Sequence, residues 1–290
     1  MSPITRRSFL KRCRYFWAPL LLGSGGAYAY GSQLERHRIT VEHHKVPLAL
    51  GDAAPGALRV VSLTDFHFDP LHEIEFFAEC VRRVNELKPD VVMLTGDFVT
   101  QSHARIGELT QELGKLKPKH GIYACMGNHD QWNNRKAHIS QAIRQAGIEL
   151  LINQHTRVSV SGASVLIAGL DSVWSGYPHL GAAISGLKSD ERVIALMHEP
   201  DFADTICRDK RVALQLSGHT HGGQVRVPGM RPLRLPTWGL LYHEGFYDVN
   251  GMKLYVNRGL GTIAIHIRFM CPPEIACLDV INTGTVISRR

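Results

Sequence analysis

Five apolar runs in this 290-residue chain each stop at residues able to hold a metal ion. ALRVVSL precedes Thr64-Asp65-Phe66-His67, VVMLT precedes Gly96-Asp97, and IYACM precedes Gly127-Asn128-His129-Asp130. RVIALM runs into His198, and VALQLS into Gly218-His219-Thr220-His221. A short β-branched run bounded by turn residues predicts a strand buried on both faces, as in a parallel sheet. Between the first runs, Ile74, Phe77, Ala78, Val81, Val84 and Leu87 recur at helical spacing, predicting a helix over about 71–87. Further helices are predicted near 104–116 and 135–146. Such β-α alternation implies a largely parallel sheet whose ligands bind at the carboxyl ends of the strands, where Asp65, Asp97 and Asn128 fall.

The remainder of the chain adds hairpins. RVSVSGASVLIAGLDS turns at Ser161-Gly162, and GFYDVNGMKLYVNRG turns at Asn250-Gly251, a strong hairpin signal. RITVEHHKVPLAL is expected at a sheet edge, after a linker around 31–35. The chain therefore divides into residues 1–30 as a leader, 31–57 as linker and edge strand, and 58–290 as the main domain.

Each strand-end element is weak alone, because Gly-Asp and Asp-x-His are common in turns. Five of them, each after an apolar strand, carry the weight. Residues i and i+2 of a strand face the same way, so Asp65 and His67 can address one ion. Carboxylate, imidazole and amide donors without thiolate suit Mn, Fe or Zn in a reactive centre, not a structural zinc knot. The neighbouring glycines are expected to leave room for a metal and a phosphate.

The formal charge of +7 suggests an acidic partner, but residues 1–14 carry five of those charges and no acid, which leaves +2 for the rest. That near-neutral body offers no electrostatic track for nucleic acid. Thr5-Arg6-Arg7-Ser8-Phe9-Leu10-Lys11 resembles the twin-arginine export signal at every specified position, and Ala27-Tyr28-Ala29 has the small-x-small form of a cleavage site. The apolar stretch over residues 15–30 falls short of the ~20 residues that span a bilayer. The expected location is the periplasm or envelope, reached through the twin-arginine machinery, with a membrane tether if the leader is retained. Five of six cysteines remain without Cys13, an odd count unlike a disulfide framework. Cys80 and Cys125 are expected as buried thiols; Cys271 and Cys277 are either buried thiols or a pair.

The ordered set D-x-H, G-D, G-N-H-D, H and G-H-x-H over residues 58–224 resembles the calcineurin-like metallophosphoesterase superfamily. GHTHGGQ, YVNRGLGT and PPEI resemble a bacterial branch of exported phosphodiesterases. The resemblance implies an α/β fold: a four-layer α-β-β-α sandwich of two mixed sheets, with a dimetal site at the strand ends. It implies two divalent ions, one on Asp65, His67, Asp97 and His221, the other on Asp97, Asn128, His198 and His219. Asp97 would bridge by giving one oxygen to each. A metal-bridging hydroxide would then attack the phosphoryl group of a small-molecule or lipid-headgroup diester. His129 would bind the phosphoryl group or protonate the leaving alkoxide, aided by Asp130, and Asn128 would also touch substrate. Arg258 is a weaker candidate for a phosphate fork, and Asp171 and Asn257 are weaker site candidates. His43, His44, His103 and His179 are expected at the surface. Two alternatives are a UDP-2,3-diacylglucosamine-type pyrophosphatase and a non-catalytic metal-binding module of the envelope.

Overall fold

A computed structural model describes residues 25–51, 53–68, 73–160 and 162–284. The twin-arginine motif, Cys13 and the apolar stretch up to residue 24 lie outside the described residues. No helix among the described residues is long and apolar enough to cross a membrane.

Strands β1 (Thr40–Leu48), β2 (Ala57–Leu63), β3 (Val91–Leu94), β4 (Ile122–Ala124) and β5 (Glu149–Leu150) belong to one sheet. Strands β6 (Gln154–Val160), β7 (Ala163–Gly169), β8 (Val193–Leu196), β9 (Val212–Ser217), β10 (Gly245–Val249) and β11 (Met252–Val256) form the second. The last strand, β12 (Glu274–Asn282), returns to the first sheet between β1 and β2, giving the order β1-β12-β2-β3-β4-β5. The second sheet runs β10-β11-β9-β8-β7-β6. Strands β2 to β5 are mutually parallel, as are β7, β8, β9 and β11, while β12 opposes β2 and each hairpin opposes its partner. Both sheets are therefore mixed, and both predicted hairpins form.

Helices α1 (Ile74–Glu86), α2 (Ile106–Leu113) and α3 (Lys136–Gln145) cover the outer face of the first sheet. Phe77, Cys80, Val81 and Val84 of α1 are buried, as the helical spacing requires. Over the second sheet the helical layer shrinks to two single turns, α4 (Leu180–Ala183) and α5 (Ala203–Ile206). Three apolar clusters separate the layers. One lies between α1–α3 and the first sheet, one between the sheets, and one beneath α4 and α5. Val91, Val92, Met93 and Leu94 alternate between the first two, which explains why β3 has no polar face.

The expected linker around 31–35 is instead a docked helical turn. Gly31 and Ser32 are buried, and a Cβ on Gly31 would lie 2.6 Å from Ile267 Cγ2. The Glu35 carboxylate accepts the Cys271 amide at 2.6 Å, and Arg268 N–H donates to Gly31 O at 3.1 Å. Burying Glu35 next to backbone donors outweighs the flexibility that Gly31 would otherwise allow.

Arg268 is completely buried, and its guanidinium donates to the carbonyls of Arg258, Gly259, Gly261 and Cys271 at 2.7–3.1 Å. It ties the segment after β11 to the segment before β12. Each buried acceptor left unpaired costs about 1–3 kcal/mol. Arg268→Met is therefore expected to lower unfolding free energy by about 3 kcal/mol or more, read as a lower urea midpoint with an unchanged slope.

Candidate metal centre

The site lies where the carboxyl ends of the two sheets meet. Asp65 and His67 follow β2, Asp97 follows β3, and Asn128 and His129 follow β4; His198 follows β8, and His219 and His221 follow β9. Backbone bonding continues past the strand ends and holds these turns in line. Asp65 N–H donates to Gly96 O, His67 N–H to Asp97 O, and Gly218 N–H to His198 O, each at 3.0 Å. Asp65, His67, Asp97, His219 and His221 all take positive φ, between 46° and 74°.

The side chains converge in three overlapping groups, Asp65, His67 and His221, then His67, Asp97 and His129, then Asp97, His198 and His219, each with its donor atoms within 4.8 Å of one another. His67 Nε2 and His221 Nε2 stand 3.0 Å apart and lie 3.7 and 3.3 Å from Asp65 Oδ1. Asp97 Oδ2 faces His67 Nε2 at 3.4 Å and His198 Nε2 at 3.1 Å. Its other oxygen accepts the His129 amide at 2.9 Å. The first and last groups thus meet at Asp97 Oδ2, which faces His67 of one and His198 of the other.

Orienting bonds choose the nitrogen that each ring presents. His198 Nδ1 bonds Thr95 O at 2.6 Å, which turns Nε2 inward, and His219 Nε2 bonds Thr237 O at 2.8 Å, which leaves Nδ1 as its inner atom. His129 Nδ1 bonds Thr100 O at 3.2 Å, so its Nε2 is free, with the ring against Trp132 at 4.0 Å.

Burial opposes every charge here, and the carboxylates decide which ring keeps a proton. Burial resists charging His198, but Asp97 and Asp65 outweigh it and hold its pKa well above the ordinary value. Burial pushes His129 and His219 down to about 4 and lowers His221 strongly. For Asp65 and Asp97 the histidines overcome burial, and both pKa values fall.

The donor set fits cations. The Asn128 amide oxygen is buried with no hydrogen-bond partner among the described residues. An orphaned acceptor beside paired imidazoles and carboxylates costs stability unless a cation satisfies it. Cys271 Sγ lies close by but donates to His221 O at 3.2 Å, which keeps the facing donors nitrogen and oxygen.

Several expectations change. The glycines make room for the carboxylates themselves: a Cβ on Gly127 would lie 2.1 Å from Asp97 Oδ1, and one on Gly218 2.2 Å from Asp65 Oδ2. Asp130 has no bond to the His129 ring. Its Oδ2 accepts the Asp97 and Gly127 amides at 2.9 Å, and its Oδ1 accepts Phe98 and Val99 at 2.8 and 3.3 Å. Burial and the Asp97 charge push its pKa up to about 7 against the pull of those amides. Arg258 is not a free phosphate fork, because Glu42 and Glu274 take its guanidinium at 2.6 and 2.8 Å. Asp171 ties a surface turn to Lys136 at 2.8 Å and Gln131 at 2.7 Å, and Asn257 bonds Ser62 O at 3.0 Å. His44 is packed against Phe246 and Tyr255, and His179 caps α4. Cys271 and Cys277 are free buried thiols.

Above the donors opens a cleft of about 540 Å³ floored by Asp97, Asn128, His129, His219 and His221. Trp132 and Trp174 form one wall; Leu233 to Thr237 and Ile263 to Ile265 form the other. Neither wall could be read from the sequence, because the tryptophan loops and the proline-rich, acid-free run opposite have no periodicity. Glu199, buried beside His198 and bonded to Ser172 Oγ, was also missed.

A family model for calcineurin-like phosphoesterases matches residues 58–223. The chain is 33 % identical over 290 residues to the uncharacterized metallophosphoesterase YkuE of Bacillus subtilis, covering 98 % of this chain and 100 % of that one. It is 27 % identical over 284 residues to phosphodiesterase YaeI of Escherichia coli, covering 96 % and 100 %. A solved dimetal phosphatase from Danio rerio aligns at TM-score 0.44 and 12 % identity, over 70 % of this chain and 88 % of that one. With strand-end donors in overlapping groups and a family match over more than half of the chain, the chain belongs to the calcineurin-like phosphoesterases.

Proposed function

We propose that the chain is a phosphodiesterase that works with two divalent ions, Mn, Fe or Zn. The carrying observation is the convergence of the first and last donor groups on one Asp97 oxygen at the floor of the cleft. Asp65, His67, Asp97 and His221 would hold one ion, and Asp97, Asn128, His198 and His219 the other. When bound, such ions offset charge on phosphoryl oxygens and acidify water near neutral pH. The protein supplies position and proton traffic. His129 is neutral in the free protein, and its Nδ1–H is committed to Thr100. That leaves Nε2 to contact the phosphoryl group or exchange a proton with the leaving oxygen. A bound anion beside this ring favours its charged form, so substrate itself primes the acid.

A diester is favoured over a monoester by the walls. Among the residues lining the cleft, Arg234 is the single arginine or lysine, and tryptophan, leucine, isoleucine and proline make up most of the walls above the polar floor. Such walls suit a monoanion with substituents on both sides better than an exposed dianion.

Asp97→Asn is expected to cut hydrolysis of bis-p-nitrophenyl phosphate with added Mn by more than about 100-fold, with loss of bound metal. His129→Ala is expected to cost about 10²–10⁴-fold on diesters with alkyl leaving groups. The loss should be much less on the nitrophenyl ester, whose leaving group needs little protonation. Equal rates in wild type and both variants would overturn the reading.

Loading the centre must remove the proton that Asp97 and Asp65 keep on His198. Below its raised pKa, metal binding is expected to release about one proton per chain. Metal affinity therefore rises with pH and levels off once His198 has already lost its proton. Calorimetric titration with Mn in buffers of different ionisation enthalpy reads the count directly.

We also propose export by the twin-arginine route, supported by Thr5–Lys11 and the basic start. Replacing Arg6→Lys and Arg7→Lys together is expected to retain the protein in the cytoplasm, as read by cell fractionation.

A further inference from the structure

Two segments at the mouth of the cleft, and a third packed against one of them, leave apolar side chains in solvent. In the run after Gln224, Val227, Met230, Leu233, Leu240 and Leu241 are 40–64 % exposed. Ile265 and Met270 are half exposed in the segment before β12, and Tyr28 stands out from the helical turn that leads into residue 30. These segments are joined. Val225 bridges Phe269, Gln224 Nε2 donates to Ile263 O and Ile265 O at 3.1 and 2.9 Å, and Tyr30 meets Phe269 edge-on at 6.1 Å. The display is held in place: the Asp201 carboxylate accepts the amides of Leu240, Leu241 and Tyr242 at 2.8–3.2 Å. Water gains nothing from side chains fixed outward in this way, and contiguous exposed apolar surface marks a contact site.

Charge identifies the partner. Residues 225–241 and 249–273 contain no Asp or Glu. Arg231 and Arg234 are exposed and have no ion-pair partner among the described residues. Upstream of Gly25, the sequence carries five basic side chains and most of the apolar stretch, and the chain arrives from there at Tyr28 and Tyr30 on this rim. An apolar surface with aromatic and basic residues suits the interface of an anionic bilayer, where rings sit at headgroup level and cations meet lipid phosphate.

We propose that this rim seats the protein on an anionic lipid bilayer with the mouth of the cleft toward the headgroups, so that the diester hydrolysed is that of a membrane lipid. The substrate part rests on the phosphodiesterase reading above; the docking part does not. Seated this way, a headgroup reaches Asn128 and His129 while its acyl chains stay in the membrane.

The test uses the full chain in a Trp17→Phe background, whose remaining Trp132, Trp174 and Trp238 set a baseline, with an added reporter at Met230→Trp or, at the far end of β12, Ile281→Trp, each read as the change from that baseline. Vesicles of phosphatidylglycerol and phosphatidylethanolamine with brominated acyl chains are expected to quench the Met230→Trp reporter and spare the Ile281→Trp reporter. Equal quenching of both, or none at Met230→Trp in protein that floats with the vesicles, would overturn docking. So would burial of that reporter in a vesicle-free dimer, which would assign the rim to a second copy. In the same samples, Val227→Ser, Met230→Ser and Met270→Ser combined are expected to lower headgroup release from vesicles by about tenfold or more, since each removes apolar surface from the contact. Hydrolysis of bis-p-nitrophenyl phosphate should remain at the wild-type rate. An equal fall in both rates would overturn the lipid assignment. Intact quenching with no hydrolysis of either substrate would overturn the phosphodiesterase reading and leave docking standing.

Discussion

The placement of one oxygen, Asp97 Oδ2, governs the geometry of the site. Oδ1 is fixed by the His129 amide, and the Asp97 amide itself donates to Asp130. With both ends held, Oδ2 has one place to go, between His67 and His198. Asp130 matters through this arrangement. By accepting amides from residues 97, 98, 99 and 127, it clamps the turn after β3 to the turn after β4. A buried carboxylate is costly unless bonded, and four backbone donors make this one a structural pin. Positive φ at five facing residues adds strain of order 1–3 kcal/mol each, offset by the strand-like bonds that continue through the turns.

The centre is also a seam. His198 comes from the second sheet yet bonds Thr95 O and faces Asp97, both from the first; the His219 amide likewise reaches the Asp65 carboxylate at 2.9 Å. The apolar layer between the sheets sets their spacing, so the packing of residues such as Met93, Ile194 and Leu216 controls the distance between donors from different sheets. Arg268 serves the same end from the side. Its carbonyl partners include Gly259 and Gly261, where added Cβ atoms would strike Asp65 Cβ and Phe66 O at 2.6 and 2.1 Å. Close backbone approach to the Asp65 turn is therefore held by a buried guanidinium.

What was legible in the sequence followed from local rules. Buried parallel strands need unbroken apolar runs, so β2, β3, β4, β8 and β9 announced themselves, and polar residues at their ends could lie only at the sheet edge. The helical spacing in α1 and the Asn250-Gly251 turn worked in the same way. What was not legible depended on partners distant in the chain. Arg258 looks like a phosphate fork until Glu42, 216 positions away, takes its guanidinium. Asp130 looks like a partner for His129 until the amides after β3 arrive. Gly31 belongs in a linker by composition, but the Glu35–Cys271 bond spans 236 positions. The placement of Asp97 Oδ2 turns on a backbone amide, which has no side-chain signature.

Charge and polarity together explain why so wet a chemistry sits beneath so apolar a mouth. The facing donors supply two carboxylates, Asp65 and Asp97, beside amide and imidazole groups. Two divalent ions would exceed that negative charge, and the excess is an attraction for an anion with little competing lysine or arginine on the walls. Removing water from such a cleft strengthens every charge interaction inside it. Apolar walls thus enhance the electrostatics of the floor, and they continue outward into Leu233 and Ile265.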